Sequence, residues 1–263
     1  MPLTAFQQRV LQLLAGNRSP ESYLAGATVI HRPPDSPRFS EDLDFFHDVA
    51  ESVAVCAEHD ATVLRGEGYE IAWQLQTPAF YRAMVSRTGQ TLKLEWAQDT
   101  AFRFFPVERD ATCGYRLHVA DAAVNKILAV AGRSEVRDFV DLLYLDRAFL
   151  PIGALCWAAC GKDPGFTPEF LLQQINRHAV YTQHDLDRLM LSVKQELPAL
   201  KRQWLAAMEK ATTLVNALPG DDMGCLYLNA RGEAVAPDPG SPDFFGWRRH
   251  FGSPCGAWPV VLP

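Results

Sequence analysis

Asp42 and Asp44 sit in the run Asp42-Leu43-Asp44-Phe45-Phe46, where acid alternates with hydrophobe. On a strand, both carboxylates leave one face while Leu43 and Phe45 leave the other. Residues two apart on a strand are separated by roughly 6.6 Å. Two carboxylates at that spacing reach one hard cation, or bridge a pair of Mg²⁺ ions about 3.5–4 Å apart. Thirteen residues separate Asp42 from Thr28, the end of Leu24-Ala25-Gly26-Ala27-Thr28. That apolar run closes on small residues and a hydroxyl, so backbone there can approach a ligand closely. Each half alone reads equally as structure, an edge strand with a solvated face or a turn. The conjunction, with Arg38 and Ser40 just ahead of the acids, is what marks a site.

This conjunction resembles the "Gly-Gly-Ser/Thr, spacer, Asp-x-Asp" motif of the DNA polymerase β-like nucleotidyltransferase superfamily. Arg38-Phe39-Ser40-Glu41-Asp42-Leu43-Asp44-Phe45-Phe46 in particular resembles the abortive-infection AbiEii/AbiGii nucleotidyltransferase toxin family. Ala27 departs from the pattern, standing where the family usually has a second glycine, and an alanine is strained wherever φ must be positive. The resemblance implies a nucleoside triphosphate as substrate, Mg²⁺ (with Mn²⁺ as the alternative ion) on Asp42 and Asp44, and the Gly26-Ala27-Thr28 turn holding the terminal phosphates. It also implies a third carboxylate on a following strand. Glu95 is the candidate. In Thr91–Gln98, Leu92, Leu94 and Trp96 share one face, and Lys93, Glu95 and Ala97 share the other. Lys93 offers the plainer reading of a surface charge pair, and Asp99 is the spare acid.

A second motif lies downstream. The spacing Lys126–x6–Arg133–x3–Arg137-Asp138–x2–Asp141-Leu142 resembles a lysine, arginine and basic-Asp-x-x-Asp-Leu pattern of the same toxin family. By that resemblance Lys126 neutralises the triphosphate tail, Arg38 or Arg133 assists, and Ser40 and Asp138 belong to the nucleotide-binding set. The plainer reading is that Arg137 and Asp141, at i and i+4, pair on a helix surface. Lys126 and Arg133 themselves have no acid four residues away, and Asp121 is five before Lys126.

Several elements must position these groups. Residues 4–15 read as an amphipathic helix, and the proline-rich stretch 31–37 as a loop over the site. His47 to Arg65 carries a broken apolar stripe and is predicted helical, ended by Gly66 and Gly68. Residues 69–76, 80–87 and 91–98 alternate and predict a β-meander. From Val119 the period changes to helical: Val124, Ile127, Leu128 and Ala131, then, past Gly132, Val136, Phe139, Val140 and Leu143. Lys126, Arg133, Arg137, Asp138 and Asp141 fall outside those stripes. Residues 150–165 read as a linker with a short apolar helix. From Thr167-Pro168 to Leu218 the chain is helix-rich, and Cys225–Val235 reads as a hairpin turning at Asn229–Gly232. The expected fold class is α+β: a nucleotidyltransferase-like mixed β-sheet flanked by helices, followed by a helical C-terminal half. The expected divisions are 1–150, 151–220 and an irregular tail at 221–263, which has no counterpart in the family.

Whole-chain properties narrow the function. The 263 residues carry a formal net charge of −6, which argues against a general nucleic-acid coat. A local basic groove remains open, with Arg82, Arg87, Arg103, Arg109 and Arg116 as candidates. No apolar run approaches the ~18–20 residues of a membrane span, and the first seventeen residues lack the basic start of a secretory signal. The six cysteines are scattered, and Cys156 and Cys160, with no partner pair at zinc-ligand spacing, read as buried thiols in a cytoplasmic protein. The resemblance implies transfer of a nucleoside monophosphate from an NTP to an acceptor hydroxyl, RNA of tRNA type, by a toxin or phage-defence component with a cognate antitoxin. The alternatives are a nucleotidyltransferase-fold binding module without turnover, and an antibiotic-type small-molecule nucleotidyltransferase.

Overall fold

The computed structural model describes residues 3–177 and 179–260. In chain order the first elements are α1 (Ala5–Leu14), β1 (Ser22–Ala25), α2 (Gly26–Ile30), β2 (Asp42–His47) and α3 (Ala50–Gly66). They are followed by β3 (Glu70–Thr77), β4 (Phe80–Arg87), β5 (Gln90–Gln98), β6 (Phe102–Arg103), β7 (Glu108–Asp110) and β8 (Gly114–Arg116). Then come α4 (Val119–Gly132), α5 (Val136–Ala148), α6 (Ile152–Lys162), α7 (Pro168–Arg177), α8 (Gln183–Asp187) and α9 (Leu197–Ala217). The chain closes with β9 (Cys225–Leu228), β10 (Arg248–Phe251) and β11 (Ser253–Pro254). It forms two compact units: residues 1–101 with 106–122, and residues 102–105 with 123–263.

The first unit is built on a seven-stranded sheet of order β3-β4-β5-β2-β1-β8-β7. The pairs β2–β5 and β1–β8 are parallel and the others antiparallel, which is the expected mixed sheet. The meander forms as predicted, because strict alternation commits Leu92, Leu94 and Trp96 to one buried face. Helix α3 packs on that face with Val53, Ala57, Ala61 and Leu64. Full burial of a side chain such as Leu94 or Phe45 contributes about 1.5–3 kcal/mol. One polar knot is buried there too. Asp60 of α3 accepts from Arg18 Nη2 at 2.6 and 2.7 Å, from Asn17 and from the Trp96 indole. The Arg18 guanidinium lies 4.4 Å from the Phe45 ring centroid. This face is therefore closed, and the chemistry-bearing residues of β2 and β5 are left to the other.

Two details differ from the sequence reading. His47 is the last residue of β2 and fully buried, not the start of a helix, which begins at Ala50. Its position is fixed by pairing with Ser22 of β1 and Gln98 of β5. Strands β7 and β8 extend the sheet where no element was expected, each being only three residues long.

In the second unit α6 is apolar on nearly all sides and buried from Ile152 to Cys160, packing on α7, α9 and β9. At Gly153 a Cβ would stand 2.8 Å from the Ala211 carbonyl of α9, so glycine sets the helix separation. Cys156 and Cys160 are buried thiols as expected, and burial pushes the Cys160 thiol up to about 12. The tail departs from a simple hairpin. The expected turn at Asn229–Gly232 forms, with the Asn229 side chain capping it and the returning segment bonded at Asn229–Glu233, Leu228–Ala234 and Tyr227–Val235, but β9 takes its full ladder partner from β10, twenty residues on. Strand β11 pairs with β6. His250 Nε2 lies 2.7 Å from the Phe104 carbonyl, and Phe105 packs on His250 and Trp258.

Candidate active site

Strand β2 places Asp42 and Asp44 on one face, and its parallel register with β5 sets Asp42 beside Lys93 and Asp44 beside Glu95. The three carboxylates named from sequence therefore lie on adjacent strands. Lys93 Nζ is 2.9 Å from Asp42 Oδ2 and 3.1 Å from Glu95 Oε1. Arg82, register partner of Glu95 on β4, donates its Nε to the same Glu95 oxygen at 2.7 Å. Burial works against the Lys93 charge, but Asp42 and Glu95 outweigh it and hold its pKa above the ordinary lysine value. Among the described residues no three His, Cys, Asp or Glu side chains close on one point. Fit to a metal rests instead on Asp42 and Glu95, which already converge on one cation, with Asp44 alongside. An all-oxygen set of this kind suits Mg²⁺ or Mn²⁺.

The small-residue turn meets these acids directly. Strand β1 ends at Ala25, paired with Asp44, and Gly26 then turns into α2 with φ +65°. A Cβ at Gly26 would stand 2.7 Å from Asp44 Cγ and nearer still to its Oδ2. Both the conformation and the space demand glycine at 26. Ala27 is not at positive φ, so the residue that departs from the family pattern sits in a conformation alanine adopts freely. The Thr28 hydroxyl is buried and donates to the Asp42 carbonyl at 3.1 Å, tying α2 to β2. Ser40 Oγ donates to the Asp42 carbonyl and lies 3.2 Å from Asp42 Oδ1. Gln7 of α1 reaches the Ser40 carbonyl at 2.7 Å, an anchor that sequence reading did not single out.

Arg38 is buried and donates to the Phe39 carbonyl. The 31–37 segment is a loop, as its prolines predict, braced by His31 Nδ1 and Ser36 Oγ at 2.6 Å. The Arg32–Asp110 ion pair joins it to β7. Desolvation opposes the Asp110 charge, but Arg32 and the Thr112 and Cys113 amides bring its pKa down to about 2.

In the second unit, Lys126 has no acid at helical spacing, as read from sequence, but the next helix supplies two: Asp138 at 2.7 Å and Asp141 at 2.9 Å. Both acids are fully buried, not on an open helix face. Burial works against the Lys126 charge, yet Asp141 and Asp138 together hold its pKa above the ordinary value. Arg133 Nε adds a 2.8 Å bond to Asp138, whose pKa is lowered by these two cations in spite of its burial. Asp138 thus binds cations of its own chain. Of the arginines named for a basic groove, Arg103 is removed by burial in the second unit, Arg82 and Arg116 pair with acids, and Arg87 and Arg109 lie over the rings of Tyr69 and Tyr115.

Among the described residues no helix is long and apolar enough to cross a membrane. Solved structures share the fold. MenT4, a nucleotidyltransferase toxin from Mycobacterium tuberculosis H37Rv, superimposes with a TM-score of 0.57 at 20% identity, covering 82% of this chain and 83% of that one. JHP933 from Helicobacter pylori gives 0.51 at 20% identity, covering 79% and 90%. A putative nucleotidyltransferase from H. pylori gives 0.51 at 18%, covering 82% and 99%. No curated protein matches the chain. The family profile described as "Nucleotidyl transferase AbiEii toxin, Type IV TA system" matches residues 12–218, which leaves out the strands of the tail. Spanning the Asp-x-Asp strand, the glycine turn and the Lys126 helix pair alike, that match makes this chain a member of the AbiEii nucleotidyltransferase toxin family.

Proposed function

We propose that the protein transfers a nucleoside monophosphate from an NTP to an acceptor hydroxyl on RNA of tRNA type, with Mg²⁺ or Mn²⁺, as the toxin of a toxin–antitoxin pair. The observation that carries this is the juxtaposition of Asp42, Asp44 and Glu95 on β2 and β5 against the turn at Gly26. Asp42, Asp44 and Glu95 would hold the divalent ion, which when bound shields phosphate charge and lowers the acceptor hydroxyl's pKa. The chain's own residues do the positioning. Gly26 and Ala27 give the triphosphate a backbone surface without side-chain obstruction, while Thr28 and Ser40 fix the Asp42 main chain so that its carboxylate is aimed. Arg38, close by in sequence, is the cation for the phosphates.

Incubating the protein with each radiolabelled NTP and total RNA, with and without Mg²⁺, tests activity, nucleotide choice and acceptor class together. The expected result is Mg²⁺-dependent label on small RNA, lost in Asp44→Ala with the circular dichroism spectrum intact. Label transfer by Asp44→Ala at the wild-type rate would dispose of the mechanism. Label on a sugar-containing small molecule instead of RNA would replace the acceptor, and absence of NTP binding would leave a binding module in its place.

A further inference from the structure

We propose that Lys93 is a built-in counter-cation: its ammonium occupies the carboxylate site, and a divalent ion must displace it to bind. The inference rests on the metal-site reading of Asp42 and Glu95 and adds to it. Lys93 bridges the two acids, 2.9 Å from one and 3.1 Å from the other, at a separation where charge-assisted hydrogen bonds are strong. Its position is set by register, since it stands beside Asp42 on the neighbouring strand and two residues before Glu95 on the same face. Its side chain is a quarter exposed, so the head group has a way out to solvent.

Arg82 meets Glu95 from the neighbouring strand, and Lys93 meets Glu95 and Asp42 together, so its ammonium spans the pair. Three acids on two adjacent strands repel one another, and an internal cation keeps them gathered before the metal arrives. That same cation occupies the position where Asp42 and Glu95 oxygens would both meet a metal. A divalent ion then gains its ligands only as the ammonium swings away, and its apparent affinity is reduced by that competition. Lys93 is thus a positioning residue when no metal is bound and a competitor when metal is present.

The test is Mn²⁺ binding, read from the electron paramagnetic resonance signal of free Mn²⁺, for wild type, Lys93→Met, Lys93→Arg and Asp42→Asn. Lys93→Met is expected to bind Mn²⁺ at least tenfold more tightly, Lys93→Arg close to wild type, and Asp42→Asn hardly at all. Without metal, Lys93→Met should melt at a lower temperature than wild type and recover when Mn²⁺ is added. Unchanged or weaker Mn²⁺ binding by a folded Lys93→Met overturns the competition while leaving the metal site standing. Failure of both wild type and Lys93→Met to bind Mn²⁺ removes the metal site and the inference with it. Lys93→Gln, which keeps a hydrogen-bonding head without the charge, gives the same readout should the methionine variant misfold.

Discussion

Gly26 lies directly beneath the Asp44 carboxylate, so close that a methyl group at position 26 would stand 2.7 Å from Asp44 Cγ. Its φ of +65° adds a conformational requirement to the steric one. Gly26→Ala should therefore push Asp44 out of line and lower transfer by about 10²-fold or more, the scale of a 1 Å misplacement. Ala27→Gly should bring no gain in rate. It should lower stability by about 0.5–1 kcal/mol, because Ala27 lies in α2 without positive φ. Rates of label incorporation and urea midpoints check both. A gain in rate from Ala27→Gly would restore the departure from the family motif as a defect.

Lys126→Met leaves Asp138 and Asp141 buried without their shared cation. Loss of one partner from a buried ion pair costs about 3–5 kcal/mol. Urea unfolding should show that loss, whereas Arg133→Ala, at a half-exposed side chain, should cost about 1 kcal/mol or less. Equal losses would mean that the two cations share the load.

His47 makes stability fall with acid. Burial and the charge of Arg18 lower its pKa to about 4 against the ordinary 6.5, with Asp48 opposing. Its folded pKa is depressed, so the unfolded chain takes up the proton first. Stability is full above pH 6.5 and is lost as pH falls toward 4, by about 3 kcal/mol across the window. Neither ring nitrogen has a hydrogen-bond partner among the described residues, so His47→Leu should be no less stable at pH 7.5 and should lack this slope. Urea midpoints at half-unit pH steps measure it.

Much of this arrangement was legible in the chain. Alternation in Leu92–Ala97 fixes a face, and so put Glu95 and the Asp-x-Asp acids on the open side of neighbouring strands. What escaped has physical causes. The burial of Asp138 and Asp141 is invisible to hydropathy, because their charges are offset by Lys126, twelve residues away from Asp138 in sequence. β7 and β8 are three-residue strands held by sheet partners, too short for a period to show. His47 reads as a polar helix start, and only the flanking strands make it a strand end. Lys93 was on the correct face but looked like a surface pair, since sequence does not show that Asp42 is its neighbour.

Asp110 gives a second, lower acid window. With its pKa held at about 2, its contribution is complete above about pH 3.9 and is lost as pH drops toward 2, below the His47 range. Arg32→Ala should shift that loss to higher pH and make the proline-rich 31–37 loop more readily cut by protease. Unchanged cleavage would show that the His31–Ser36 bond suffices to hold the loop.

The clasp of β11 and His250 on residues 102–105 also governs the order of assembly. Phe104 emerges from the ribosome 146 residues before the histidine that its carbonyl meets. Contacts so distant along the chain form late and slowly. Until then, Phe104 and Phe105 are apolar groups awaiting cover in a nascent polypeptide, the stretch where a chaperone would find its grip.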